Sequence, residues 1–203
     1  SGATMVLALG TPTGPADTGA AQHRFFLLRA AAMLVQHGMG PLRQAVLIAL
    51  DQADYMRAVN GDYVKWQRCA SMFPCGIPFS PELGASILNS PRDLARAREA
   101  VKAAGYNGEK VVLMNPADFP SIAPLGDVTA DLLRKLGFNV DLQTMDWGTL
   151  VQRRVQKLPP AQGGWNIFHT WTTSVSITNP ALNYYVRGQG DAGTNGGPAG
   201  DVI

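Results

Sequence analysis

The alternation of apolar and polar positions is most regular between Lys110 and Trp171. Lys110-Val-Val-Leu-Met-Asn115 is an apolar run of strand length, and Asn139-Val-Asp-Leu-Gln-Thr-Met145 alternates as a half-buried strand does. A helix is predicted between them over 121–136, ended by Gly137. After the second strand, Leu150, Val151 and Val155 recur at helical spacing, which predicts a helix over 147–157 stopped by Pro159-Pro160. Trp165-Asn-Ile-Phe-His-Thr-Trp171 reads as the third strand. The order β-α-β-α-β predicts three parallel strands joined by right-handed crossovers. Asp146 stands at the joint between the second strand and its helix, where a short carboxylate caps free N–H groups.

Upstream, the pattern predicts a short strand over Met5 to Leu9, a Gly/Pro/Thr loop over 10–19 and an apolar helix over 22–36. Pro41 suits a first helical position, and Leu42, Ala45, Val46, Ala49 and Leu50 then share one face. A second helix is expected over 52–59, ending near Asn60-Gly61, followed by a long connection over 66–89. The next helix is expected to open with Ser90 as cap and Pro91 in its first turn, Asp93 following, and to stop at Gly105. Asn179-Pro180 begins a further helical turn or two, and Gly and Pro crowd the end of the chain.

Composition changes this picture little. Of 203 residues, 46% are apolar and 16% charged, as in a globular chain. The 17 basic and 15 acidic residues are scattered, and no basic run interleaves with aromatics, which argues against nucleic acid as a partner. The longest apolar stretch, Phe25 to Val35, holds Arg29 and is too short to span a bilayer. No start methionine or cleavable signal sequence is present, and this says nothing about compartment. Cys69 and Cys75 are the only cysteines. They could close a small disulfide loop in an oxidising compartment, or stand as two buried thiols, and spacing does not decide between these.

The chemistry-bearing motifs are few. Gly188-Gln-Gly190-Asp-Ala-Gly193 matches the dinucleotide fingerprint in letters, but no strand enters it and Gly196-Gly197-Pro198 forbids the helix it needs. His23, His37 and His169 have no partner at metal-ligand spacing, and His169 is expected as a hydrogen-bonded core histidine. Asp141 and Asp146 are expected as surface residue and cap. No catalytic residue, metal site or cofactor is expected. Ligands of open parallel sheets collect at the carboxyl edge, here Asn115 to Phe119, Met145 to Trp147 and Trp171 to Ser174. Trp165 and Phe168 are expected in the core, and Trp147 against the sheet. For Trp171, packing and ligand contact both stay open on position alone. Because it opens the hydroxyl-rich run Thr172 to Thr178, the expected substrate-binding residues are Trp171, Thr172, Thr173 and Ser174.

Several of these segments together resemble the family 5 extracellular solute-binding proteins, receptors of ABC importers for oligopeptides, dipeptides, nickel chelates and related solutes. Pro41-Leu-Arg-Gln-Ala-Val-Leu-Ile-Ala-Leu-Asp-Gln52 is similar to the family's Arg-Gln-Ala helix. Pro91 to Tyr106 is similar to its proline, alanine-rich helix and Ala-Gly-Tyr signature, and Leu132 to Leu142 followed by Asp146-Trp147 to the next helix–strand unit. Trp165-Asn-Ile-Phe168 stands where the family has a strand entering the cleft. The resemblance implies an α/β fold with a parallel-rich sheet and a β-α-β-α-β core, like lobe II of a two-lobed periplasmic binding protein. It divides the chain into a poorly matched segment 1–40, a lobe 41–187 and a flexible Gly/Pro-rich tail 188–203. It implies binding of a peptide or similar small solute between two lobes, delivery to ABC transporter permease subunits, and a signal-peptide-directed parent in the periplasm or tethered outside a membrane. An isolated lobe is expected to self-associate. Thr172 to Thr178 holds no acid where peptide binders of the family often carry an Asp after the cleft Trp. The alternatives are a small α/β enzyme, or a ligand-sensing or interaction module, using the same sheet edge.

Overall fold

Short apolar runs separated by capped helices can bury their side chains only by stacking helices on a sheet, and the chain does so. A computed structural model describes residues 4–8, 11–12, 24–31, 39–61, 66–69, 86–154, 156 and 158–173. In chain order the elements are β1 (Thr4–Ala8), β2 (Thr11–Pro12), β3 (Arg24–Ala31), α1 (Met39–Ala49), α2 (Gln52–Asn60), β4 (Trp66–Gln67) and α3 (Ser86–Asn89). There follow α4 (Leu94–Ala103), β5 (Lys110–Pro116), α5 (Ala123–Lys135), β6 (Asn139–Met145), α6 (Trp147–Arg153) and β7 (Ile167–Thr173).

Five strands form one sheet in the order β1-β3-β7-β5-β6. β5 pairs in parallel with both β6 and β7, as the sequence predicts, while β3 runs antiparallel to β7 and β1 antiparallel to β3. β6, the middle strand of the three in sequence, lies at one edge of the sheet. β1 and β3 come from the segment set apart as 1–40, and both join this sheet. β2 and β4 form a separate two-stranded ladder with Thr11 opposite Gln67, so the expected loop over 10–19 contributes a paired strand.

The two crossovers lie on opposite faces. Val111, Leu113 and Ile167 bury with Leu125, Leu132 and Leu133 of α5 and with residues of α1, α2 and α4. Val112, Met114 and Phe168 bury on the other face with Leu150 of α6. Complete burial of a leucine or phenylalanine is worth about 1.5–3 kcal/mol, whereas exposed ion pairs are worth about 1 kcal/mol or less. Pairs such as Lys102–Glu99 and Lys135–Asp131 have both side chains more than half exposed, so the apolar layers hold the fold.

Four expectations need correction. Arg24 to Ala31 is strand and not helix, because Arg24 to Ala30 pair with β7 and Leu27 to Ala31 with β1, and so short a largely apolar run cannot be told from a buried helix by periodicity. The helix expected at Ser90 begins at Leu94, where the Asp93 carboxylate accepts from Arg96 N at 2.9 Å and its backbone N–H donates to Ile48 O at 3.2 Å. α6 ends at Arg153 and not at 157. β7 starts at Ile167 and not Trp165, since the Asn166 side chain accepts from Val112 N at 2.7 Å in place of a ladder bond. Cys69 is buried. Cys75, Ser174, the turn at Asn179-Pro180 and the tail 188–203 lie outside the described residues.

α5 comes so close to the sheet at Gly126 that a Cβ there would stand 2.4 Å from Asn115 Cγ. Gly126→Ala is therefore expected to destabilise the fold by about 1–3 kcal/mol through overpacking. In an Asn115→Ala background the same change should become neutral or stabilising by up to about 1 kcal/mol, the usual helical preference for Ala over Gly. Urea unfolding of the four proteins measures this, and an equal cost in both backgrounds would exclude the contact as its cause.

Candidate functional site

The carboxyl edge of the parallel strands is the place to look for a site, and most of it is occupied by the protein's own groups. The chain leaves β5 toward α5 on one face and β6 toward α6 on the other, which opens a crevice between the two strand ends. Ala117 N donates to Met145 O at 2.9 Å and Trp147 N to Asp118 Oδ1 at 2.8 Å across this crevice. The Phe119 and Trp147 rings meet at 5.1 Å with a 50° tilt. Trp147 also packs on the core clusters of both sheet faces, in the packing role the sequence predicts.

Both helix N-termini at this edge are satisfied internally. Ile122 N and Ala123 N donate to Phe119 O and Leu125 N to Ile122 O, all at 2.9 Å, while Pro124 has no N–H. Little of the first turn of α5 is left to hold an anion. At α6 the Asp146 carboxylate accepts from Thr149 Oγ1 at 2.6 Å and Thr149 N at 2.9 Å, making the predicted cap. Those two bonds, the hydroxyl's first, hold its pKa below the ordinary carboxylate range. Asp141 accepts from Gln143 Nε2 at 2.9 Å and pairs with Lys110 at 3.6 Å, a surface role.

The end of β7 differs. Its ladder with β5 has two registered pairs, Leu113 with Ile167 and Met114 with Phe168. Its ladder with β3 continues to Phe26 opposite Trp171, Phe25 opposite Thr172 and Arg24 opposite Thr173. From His169 onward β7 is thus held from one side, and it carries Trp171, Thr172 and Thr173 past the point where β5 is registered. Trp171 is in the strand as expected, and Thr172 and Thr173 belong to it too, not to the loop expected after Trp171. Trp165 and Phe168 are core residues, edge to face at 5.0 Å and 85°.

Beneath that strand end lies a polar chain that sequence reasoning did not assemble. Tyr55 Oη and Thr129 Oγ1 are 2.9 Å apart, and Thr129 Oγ1 and His169 Nε2 2.8 Å. All three side chains are buried. Burial pushes the imidazole down to about 3 and the phenol well above its ordinary range. A depression of about 300 Å³ is lined by Asp51, Asp54, Arg92, Asp131 and Lys135 together with Tyr55, and its carboxylates are neutralised by Arg68, Arg92 and Lys135. Among the described residues no three His, Cys, Asp or Glu side chains converge. Leu158 is the one large hydrophobic side chain left exposed among the residues whose burial is described.

Residues 41–193 match the family described as bacterial extracellular solute-binding proteins, family 5 Middle. A "Probable peptide ABC transporter periplasmic-binding protein" of Sinorhizobium fredii (strain NBRC 101917 / NGR234) is 30% identical over 159 residues, covering 78% of this chain and 30% of that protein. The fold is shared with AgaA of A. tumefaciens R10, solved with agropinic acid, at a TM-score of 0.67, 18% identity and coverage of 97% of this chain and 36% of that one. It is shared with an ABC transporter substrate-binding protein of Listeria monocytogenes at 0.64, 15% identity and coverage of 82% and 33%. For the periplasmic protein DppA of Helicobacter pylori, in complex with peptide STSA, the values are 0.57, 18%, 92% and 31%. The chain spans about a third of the length of these proteins.

The buried imidazole makes stability depend on pH in a defined direction. Its folded value, about 3, lies below the ordinary 6.5, so the unfolded chain binds the proton more tightly. The contribution is intact above pH 6.5 and is lost progressively down to about pH 3. Urea unfolding should show about 2 kcal/mol less stability at pH 5 than at pH 7 from this residue alone. That difference should shrink in a His169→Gln variant, and an unchanged pH dependence would assign the loss to other groups.

Proposed function

Because the chain belongs to the bacterial extracellular solute-binding proteins of family 5, we propose that it forms one lobe of an ABC importer receptor. The lobe binds a peptide or similar small solute against a second lobe and presents it to the membrane permease. The receptor works in the periplasm or tethered outside the membrane, and it turns nothing over. The family match carries this reading, since it spans the whole β5–α5–β6–α6–β7 unit. The geometry supports the location of the solute edge. Between β5 and β6 the backbone donors and the two rings are already committed to each other. Trp171, Thr172 and Thr173 continue beyond the β5 ladder and are followed by Ser174, and these four are the proposed solute contacts. Hydroxyls with no acid up to Thr178 suit hydrogen bonding to an uncharged polar part of the solute better than pairing with an ammonium group.

The test is a thermal-shift screen of the full-length receptor against peptides, chelated metals and sugars. A rise in Tm without turnover of the bound compound is expected, and turnover would overturn the proposal. With a solute in hand, Trp171→Ala should lose on the order of 10- to 100-fold in affinity, about 1–3 kcal/mol, with Tm retained. Trp147→Ala should do the opposite, lowering Tm while keeping affinity. The reverse pattern would move the site to the β5–β6 crevice.

The same reading extends to Cys69. An oxidising compartment favours a bridge to Cys75, the only other cysteine, which would close a small loop beside α2. Gln52 brackets Cys69, donating to its carbonyl at 2.7 Å and accepting its N–H at 2.9 Å. Peptide mapping of the unreduced protein should recover Cys69 linked to Cys75. Recovery of both as free thiols would reject the bridge.

A further inference from the structure

The Tyr55–Thr129–His169 chain has a direction that its hydrogen count dictates. Thr129 has one hydroxyl proton, and its oxygen lies within bonding distance of both Tyr55 Oη and His169 Nε2. Three arrangements satisfy the distances; one, with Tyr55 and His169 both donating into Thr129, leaves the buried Thr129 hydroxyl proton with no acceptor, and two remain. In one, His169 Nε2–H donates to Thr129, which donates to Tyr55. The phenolic proton of a residue 1% exposed then has no acceptor. In the other, Tyr55 donates to Thr129 and Thr129 donates to a bare Nε2, so every hydroxyl proton is used. The first arrangement strands the phenolic proton and a bare Nδ1 together, whereas the second strands only Nδ1–H, so the second leaves fewer buried groups unpaired. The imidazole proton is then on Nδ1, which has no hydrogen-bond partner.

A complementary orphan lies alongside. Asn115 is 5% exposed and its Oδ1 has no partner. The last registered pairs of the β5–β7 ladder are Leu113 with Ile167 and Met114 with Phe168, so Asn115 and His169 are the next residues on their strands. Both face α5, Asn115 against Gly126 and His169 through Thr129, and these helical residues are three apart and therefore neighbours on one face.

We propose that Tyr55 and Thr129 form a one-way relay that fixes His169 as the neutral Nδ1–H tautomer, and that this N–H and the Asn115 carboxamide oxygen share one buried water molecule where β5 and β7 part. Buried waters characteristically join such leftover donors and acceptors. The water replaces the next rung of the ladder. It ties β7 to β5 two residues before Trp171, where direct pairing has ended. Tyr55 is the titratable group that touches the imidazole, and it stays protonated because burial raises it. Burial likewise keeps His169 neutral through the working pH range. The inference makes no assumption about the solute.

Long-range nitrogen–proton correlation spectra of the full-length protein test this, with the His169 signals identified by their loss in His169→Gln. Nδ1 should be protonated and Nε2 bare from pH 8 to pH 5, with a cross-relaxation peak between Nδ1–H and a bound water. An Nε2–H tautomer, or titration within that range, would overturn the relay. An Nδ1–H signal without the water peak would overturn the bridge. Tyr55→Phe removes the donor that sets the direction, so the tautomers should mix. Asn115→Ala should remove the water peak and leave the tautomer in place. A water peak that survives Asn115→Ala would show that the two groups do not share it.

Discussion

The close seating of α5 on the sheet, at the turn from Gly126 to Thr129, is the constraint on which the carboxyl edge depends. Gly126 has no Cβ, and one placed there would meet the Asn115 carboxamide at 2.4 Å. One turn later Thr129 bonds to both Tyr55 and His169. A single helical turn therefore fixes β5, β7 and α2 relative to one another through one steric contact and two polar ones. The apolar layer supplies most of the free energy, but it is non-directional and does not by itself choose this seating. The buried polar chain does choose it, because a slip of α5 would strand three buried polar groups at once.

Once α5 is seated, polar satisfaction decides which part of the edge remains for a ligand. The β5 and β6 loops leave on opposite faces, the arrangement that opens a crevice in doubly wound sheets. Here the crevice is filled by two bonds across it, by the Asp146 cap and by a ring pair. A ligand would have to displace all of them to enter. β7 faces no such competition beyond its second pair with β5, since its remaining ladder is on the β3 side. Two tryptophans at the same sheet edge thus differ in how their backbones are used. The Trp147 N–H is fixed by Asp118, while Trp171 rides on a strand with one flanking partner.

Much of this was legible in the sequence where the signal is local. The strand over 139–145, the Gly137 stop and the Asp146 cap concern groups a few residues apart, and each stands as predicted, although residues 140–143 are all half-buried and not alternately so. The expectation of a hydrogen-bonded core histidine at His169 also needed only its apolar strand. The failures arise where long-range pairing competes with local propensity. Arg24 to Ala31 suits a helix alone, but strands on both sides claim it. Asn166 delays β7 because its side chain takes a backbone partner 54 positions away. The Tyr55–Thr129–His169 chain spans separations of 74 and 40 positions, and no spacing rule links a Tyr on one helix to a Thr on another.

The lobe also extends beyond the residues that carry the family match. That match begins at residue 41, yet β1 and β3 lie before it and complete the sheet. β3 is the strand against which Trp171 to Thr173 are registered. The direction in which β7 leaves the sheet is therefore set jointly, by β3 on one side and by the α5 contacts to Asn115 and His169 on the other. Residues 1–40 carry little family signal of their own because an apolar strand that serves as a flanking partner needs only length, burial and register, and many sequences satisfy those.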